Sequence, residues 1–171
     1  MTFRFRLAGP SDAAEWAKLH ILSWRQAYHG ILPQNFLDEM DESAFTERFS
    51  SSLSGAFECW FFDIDGIAAG RVVLGASRDE DAPPREGEVL ALYLLSAYWG
   101  NGHGKHLMDF ALERLSSLGC GDVIVWALEQ NARARRFYEK CGFFADGGQK
   151  TLPLDGCDLR EIRYRLPETS L

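Results

Sequence analysis

Hydrophobic and polar positions change period several times along the chain, and each change marks an element. Phe3 to Leu7 alternates apolar residues with arginine, "FRFRL", and reads as a half-buried strand. "GPSD" stops it, and Ser11 or Asp12 can cap a helix whose apolar positions, Trp16, Leu19 and Ala27 among them, carry it to about Tyr28. "HGILP" breaks that helix at Gly30 and Pro33, and a second helical stretch, in one piece or two, covers roughly Gln34 to Ser52. Ala56 to Ile64 and Ile67 to Ala76 read as strands joined at Asp65-Gly66, a hairpin signal. A charged, proline-containing loop, "SRDEDAPPREG", leads to a nearly continuous apolar strand from Glu88 to Leu95. The next helix runs from about Gly102 to Leu118, with Leu107, Met108, Ala111, Leu112, Leu115 and Leu118 on one face, and Gly119 ends it. Val123 to Ala127 is a short buried strand, and Asn131 opens a helix that Gly142 closes. Phe143 onward and Leu159 to Leu166 make the last two strands, joined by a turn at Asp155-Gly156. The order β, α, α, three strands, α, β, α, β, β predicts an α/β fold, with residues 1–171 forming one domain.

Between the apolar strand and its helix, "YWGNGHGKH" places glycine at Gly100, Gly102 and Gly104. Glycines at a helix mouth let backbone N–H groups surround an anion, and the positive end of the helix dipole favours one. A tight strand-to-helix turn needs only one glycine, so the alternation with Lys105 beside it points to an anion site. A P-loop is excluded: Gly104-Lys105 matches its second glycine and lysine, but Trp99 and His106 break the pattern. The dinucleotide fingerprint G-x-G-x-x-G fails at Lys105 from Gly100 and at Leu107 from Gly102.

A second motif follows the short strand. "NARARRFYEKCGF", Asn131 to Phe143, has the form N-x-x-A-x-x-F-Y-x-x-x-G-F. Together, in this order and at this spacing, the two motifs resemble the GNAT superfamily of acyl-CoA-dependent N-acetyltransferases. Its phosphate motif is [QR]-x-x-G-x-[GA]; here Trp99-Gly100-Asn101-Gly102-His103-Gly104 supplies both small positions, with Trp99 in the Gln/Arg place. The motifs cover Glu88 to Phe143, and the strand order extends the resemblance over nearly the whole chain. It implies a central mixed sheet splayed at the cofactor strand, and acetyl-CoA as the acyl donor. By offset, backbone groups of Leu92, Tyr93 and Leu94 would hold the pantetheine arm, the Leu92 amide facing the thioester oxygen. The amides from Gly100 to Lys105 would hold the pyrophosphate, and Asn131 would hydrogen-bond the pantetheine, although it suits an N-cap equally well. Arg133, Arg135 and Arg136 either reach the 3′-phosphate or form a solvated face.

The resemblance also implies roles in the chemistry. An alkylamine arrives protonated, so it needs a base, and the departing thiolate needs a proton. Glu88 occupies the family's base position and Tyr138 that of the acid. Neighbours on a helix face different ways, so Phe137 is expected in the core and Tyr138 on the cleft. The aromatic-rich stretch Leu19 to Met40 resembles a bacterial subgroup that includes polyamine acetyltransferases, and there Trp24, Tyr28 and His29 would line the acceptor pocket. The expected acceptor is a small-molecule primary amine, attacked directly in a ternary complex. Acetylation of protein N-termini or lysines, and a non-catalytic acyl-CoA sensor, are the alternatives. The family's habits allow a homodimer.

Composition narrows the partners. The 171 residues carry a net charge of −7, against the basic stripe that nucleic-acid binding needs. Four cysteines, Cys59, Cys120, Cys141 and Cys157, have no zinc-type spacing, and His20, His29, His103 and His106 form no ligand group with them, so no metal is expected. No apolar run reaches a membrane span and the first residues show no signal core, so the expectation is a cytoplasmic protein with reduced thiols and no membrane partner.

Overall fold

Two Asp-Gly pairs set the hairpins. Asp65 and Gly66 have φ of 49° and 81°, and Asp155 and Gly156 have 48° and 74°, the doubly left-handed backbone of a two-residue type I′ turn. In the computed structural model, which describes residues 1–168, these turns join β2 (Glu58–Ile64) to β3 (Ile67–Ala76) and β6 (Phe144–Leu154) to β7 (Cys157–Leu166). The other strands are β1 (Phe3–Leu7), β4 (Gly87–Leu94) and β5 (Val123–Leu128). The helices are α1 (Ala13–Ala27), α2 (Gln34–Asp38), α3 (Glu42–Ser52), α4 (His103–Ser117) and α5 (Ala132–Lys140). The second helical stretch is thus two helices, because Asp41 restarts it as an N-cap, accepting the Ala44 N–H at 2.7 Å. The strands hydrogen-bond in the order β1-β2-β3-β4-β5-β7-β6, a mixed sheet in an α/β fold, as the element order predicts. No helix among the described residues is long and apolar enough to cross a membrane.

The chain divides into two compact units, and β4 and α4 give residues to both. The first comprises Met1–Leu74 and Ala91–Asp109. Here β1, β2 and β3 pair antiparallel, with a bulge at Phe62/Asp63. Trp16 and Leu19 of α1 pack with Leu53, Cys59 and Phe61, and the Trp16 ring meets Phe61 edge-on at 5.0 Å. β3 closes on the end of β4 through Gly70, where a Cβ would lie 2.7 Å from the Tyr93 carbonyl oxygen, so no larger residue fits.

The second unit comprises Gly75–Leu90 and residues 110–168. β5 pairs antiparallel with β7 from Val123↔Leu166 to Leu128↔Glu161, and β7 pairs with β6. On its other side β5 meets β4 in parallel at Gly87↔Val123 and Glu88↔Ile124, and among the described residues this ladder has no further pair. Two arginines on β7 gather the unit's carboxylates. Arg163 pairs with Asp79 at 2.9 Å and Asp146 at 3.0 Å, and Arg165 with Glu86 at 2.6 Å and Asp146 at 3.0 Å. Burial pushes the Asp146 carboxyl up, but the Gly148 amide and the two guanidinium groups outweigh it and hold it below its ordinary value. Asp79 also accepts the Trp126 indole N–H at 3.1 Å, which fixes the loop between β3 and β4 at its start.

Candidate functional site

The glycine turn is left-handed where its sequence suggests. Gly100 and Gly102 have φ of 80° and 81°, and a Cβ at either would meet nothing within 4 Å. These glycines therefore serve backbone conformation and outward access, not packing against the chain itself. α4 starts immediately after, and the amides of His103 and Gly104, in its first turn, have no carbonyl one turn back within the helix. The amides of Lys105 and His106 turn back to the Gly102 carbonyl at 3.0 and 3.3 Å, so the Lys105 N–H is engaged by the turn. The Lys105 ammonium is ion-paired one turn along with Asp109. The Trp99 indole N–H donates to the Leu94 carbonyl at 2.7 Å and ties the turn to the end of β4. The motif's spacing gave no sign of this side-chain role.

On β4, Leu92 and Tyr93 are half-buried and Leu94 is buried. Glu88, four residues earlier than Leu92, is 1% exposed. Its carboxylate accepts from the Arg78 backbone amide at 3.0 Å and from the Arg78 guanidinium at 2.7 and 3.2 Å. Sequence reasoning had no means of finding Arg78, which reaches Glu88 across the charged loop. Burial pushes the Glu161 carboxyl on β7 up, with Lys150 and Arg78 opposing and Glu88 adding to the rise.

Asn131 caps α5, its side-chain oxygen accepting the Ala134 N–H at 3.1 Å. The expectation that Phe137 is the enclosed member of the pair does not hold: Tyr138 is buried and Phe137 is half-buried. Tyr138 lies 6.1 Å from the ring centroids of both Phe143 and Tyr164. The phase of α5 explains it, since Tyr138 is the position facing β7's Tyr164. Arg135 turns inward, donating to the Tyr164 hydroxyl at 2.9 Å and the Glu129 carbonyl at 3.0 Å, which leaves Arg133 and Arg136 as the exposed arginines of the helix.

The three expected acceptor residues part company. Trp24 and Tyr28 meet edge-on at 5.1 Å, and both reach Tyr93, Trp24 with rings 6.3 Å apart and Tyr28 through a hydroxyl pair at 2.6 Å. His29 lies outside this group, exposed, with Nδ1 3.2 Å from the Gln34 amide oxygen. The group contains two residues that sequence reasoning did not place in it. His20 stacks obliquely on Trp24 at 4.9 Å, and its Nδ1 is 2.6 Å from the Arg71 guanidinium. Arg71 in turn lies over the Tyr93 ring at 4.7 Å. A signal was present in the sequence: "IAAGRVVLGA" is a strand with one charge in an otherwise apolar run.

Comparison with known proteins settles the family. A model of the acetyltransferase (GNAT) family matches residues 16–143. The chain belongs to the GNAT family. A probable N-acetyltransferase of Mycobacterium tuberculosis is 33% identical over 167 residues, 95% of this chain and 92% of that protein. Among solved structures, a PaiA N-acetyltransferase from Thermoplasma acidophilum in complex with coenzyme A aligns with a TM-score of 0.72 at 19% identity, over 98% of this chain and 99% of that one. YncA of Salmonella typhimurium, a putative acetyltransferase with acetyl-CoA, aligns at 0.71 and 18% identity, over 98% and 95%. The GNAT protein described here is an acyltransferase, and its sheet and helices form the GNAT fold.

Proposed function

We propose that this GNAT protein takes acetyl-CoA as its acyl donor and transfers the acetyl group to the primary amine of a small molecule, by direct attack in a ternary complex and within one N-acetyltransferase domain. The observation that carries the reading is the turn at Gly100 and Gly102, left-handed, open outward, and feeding the first amides of α4. Such a turn suits a pyrophosphate, and the similar structures named above hold coenzyme A and acetyl-CoA. A pantetheine arm would lie along the backbone of Leu92, Tyr93 and Leu94, as the resemblance to the family implies. In the reaction the amine nitrogen bonds to the thioester carbon, whose oxygen takes the negative charge and is met by the Leu92 amide. The carbon–sulfur bond then breaks. Glu88, held by Arg78, is the base that accepts the amine's proton, directly or through water, and Tyr138 gives one to the departing sulfur. Trp24 and Tyr28 wall the acceptor side, while the exposed His29 stands at its margin.

An acceptor screen tests this reading. The protein is mixed with acetyl-CoA and, separately, with polyamines, aminoglycosides, amino acids and peptides, and free-thiol release is followed. Release with a class of small amine is the expected result. Release with peptides alone would move the function to protein acetylation. Release with none, alongside tight CoA binding, would leave an acyl-CoA sensor.

A further inference from the structure

Arg71 poses a problem of charge. It is 3% exposed, on β3, in the middle of the first compact unit. A guanidinium taken out of water costs several kcal/mol unless a carboxylate compensates it. Among the described residues, no carboxylate forms an ion pair with Arg71. One guanidinium nitrogen, Nη2, faces the His20 Nδ1 at 2.6 Å, and the planar group lies over the rings of Tyr93 at 4.7 Å and Trp16 at 5.3 Å. Since an arginine N–H can only donate, the facing His20 nitrogen must be the acceptor, so the imidazole is neutral and brings no charge. The Arg71 Nε–H is buried without a hydrogen-bond partner.

A second donor nearby is in the same condition. The Trp24 indole N–H is also buried with no acceptor. The two belong to one cluster. His20 touches Arg71 on one side and Trp24 on the other, and Tyr93 likewise contacts both. Buried polar groups in native proteins are satisfied as a rule, so two orphaned N–H donors and one uncompensated positive charge in a single aromatic cluster call for an anionic acceptor of hydrogen bonds. A polyamine is the wrong guest here, because its ammonium groups would meet the guanidinium with like charge. The planar fork of arginine matches a carboxylate.

We propose that Arg71, with the Trp24 indole N–H, binds a carboxylate carried by the acceptor, so that the substrate is an amino acid or a closely related amine-carboxylate. This rests on the small-amine reading above and selects among its substrates.

The test compares matched acceptors with and without the carboxylate: phenylalanine against phenethylamine, tryptophan against tryptamine, methionine against 3-(methylthio)propylamine. Thiol release with acetyl-CoA is measured for wild type and Arg71→Met, together with the thermal shift given by the N-acetylated amino acids in the presence of CoA. In the wild type the carboxylate member of an accepted pair should be favoured on the order of 100-fold in kcat/KM, the scale of losing one partner of a buried charge pair. Arg71→Met should abolish that preference through KM for the acceptor and leave KM for acetyl-CoA unchanged. Its melting temperature should hold or rise, because removing an uncompensated buried charge relieves the fold; a merely structural arginine would lower it. If Arg71→Met fails to fold, the matched pairs and the thermal shift on the wild type decide alone. Equal or better turnover of the decarboxylated amines would overturn the proposal and leave the small-amine function intact. Should no small amine be turned over, that function fails, and the thermal shift still decides: a shift in the wild type that Arg71→Met removes supports carboxylate binding, and its absence in the wild type overturns it.

Discussion

Replacing Tyr138 with phenylalanine is expected to lower kcat about 100-fold or more, with KM for acetyl-CoA near the wild-type value. A cysteine thiol has a pKa of roughly 8.5 and a simple alkyl thiol is less acidic still, so its thiolate is a modest leaving group at neutral pH, and a positioned proton donor typically contributes about 10²- to 10⁴-fold. Phenylalanine keeps the ring against Phe143 and Tyr164 and removes only the hydroxyl, so the fold should persist. The leaving group offers a way to separate chemistry from packing. A donor thioester of a more acidic thiol needs less help, and the penalty of Tyr138→Phe should shrink with it. A variant with full kcat across the pH range would take Tyr138 out of the chemistry. A penalty identical for both donors would place its effect in packing.

The second large effect is on stability in acid. Below pH 6.5 the protein should lose up to about 1.4 kcal/mol of folding free energy per pH unit through His20 alone. Burial, followed by the positive charges of Arg71 and Arg48, lowers its imidazole to about 2. An unfolded imidazole takes its proton near pH 6.5. Between those values the unfolded chain binds the extra proton, so acid favours unfolding, and the full contribution is present only above pH 6.5. Over the interval from pH 6.5 to 4.5 this sums to roughly 2.5 kcal/mol. Urea unfolding of wild type and His20→Gln at pH 7.5, 5.5 and 4.5 checks it. Glutamine keeps an acceptor for Arg71 and cannot titrate, so the variant's stability should depend less steeply on pH. Equal slopes would show that His20 titrates in the folded protein as it does in the unfolded one. The same neutrality leaves the Arg71 charge without a compensating anion among the described residues.

Local features were legible in the sequence and tertiary ones were not. Asp65-Gly66 and Asp155-Gly156 announced their turns because left-handed φ at both positions is a local demand. Gly100 and Gly102 likewise show the left-handed backbone that their alternation suggests, and helical period finds the buried Leu107, Met108, Ala111 and Leu115 of α4, although Leu118, beyond the helix end, is exposed. Arg71 was different. Its sequence shows a charge inside an apolar strand, but its surroundings come from pairing with Phe61 across β2 and from α1 laid over that face, which no single window contains. Arg78 reaches Glu88 from ten residues earlier, and His29 leaves the aromatic group that Trp24 and Tyr28 join, because α1 ends at Ala27 and its cap at Tyr28. For Phe137 and Tyr138, adjacency on a helix said only that they diverge. Which one is enclosed depended on where α5 docks against β7.

The proposed reaction passes acetyl straight from acetyl-CoA to an amine while both are bound. Initial rates measured on a grid of acetyl-CoA and the accepted amine, with the intact mass of the protein recorded after acetyl-CoA alone, test it most directly. Direct transfer gives intersecting double-reciprocal lines, one free CoA thiol for each N-acetylated amine, and no mass added to the protein. Parallel lines, with an acetyl group on the protein in the absence of amine, would contradict it.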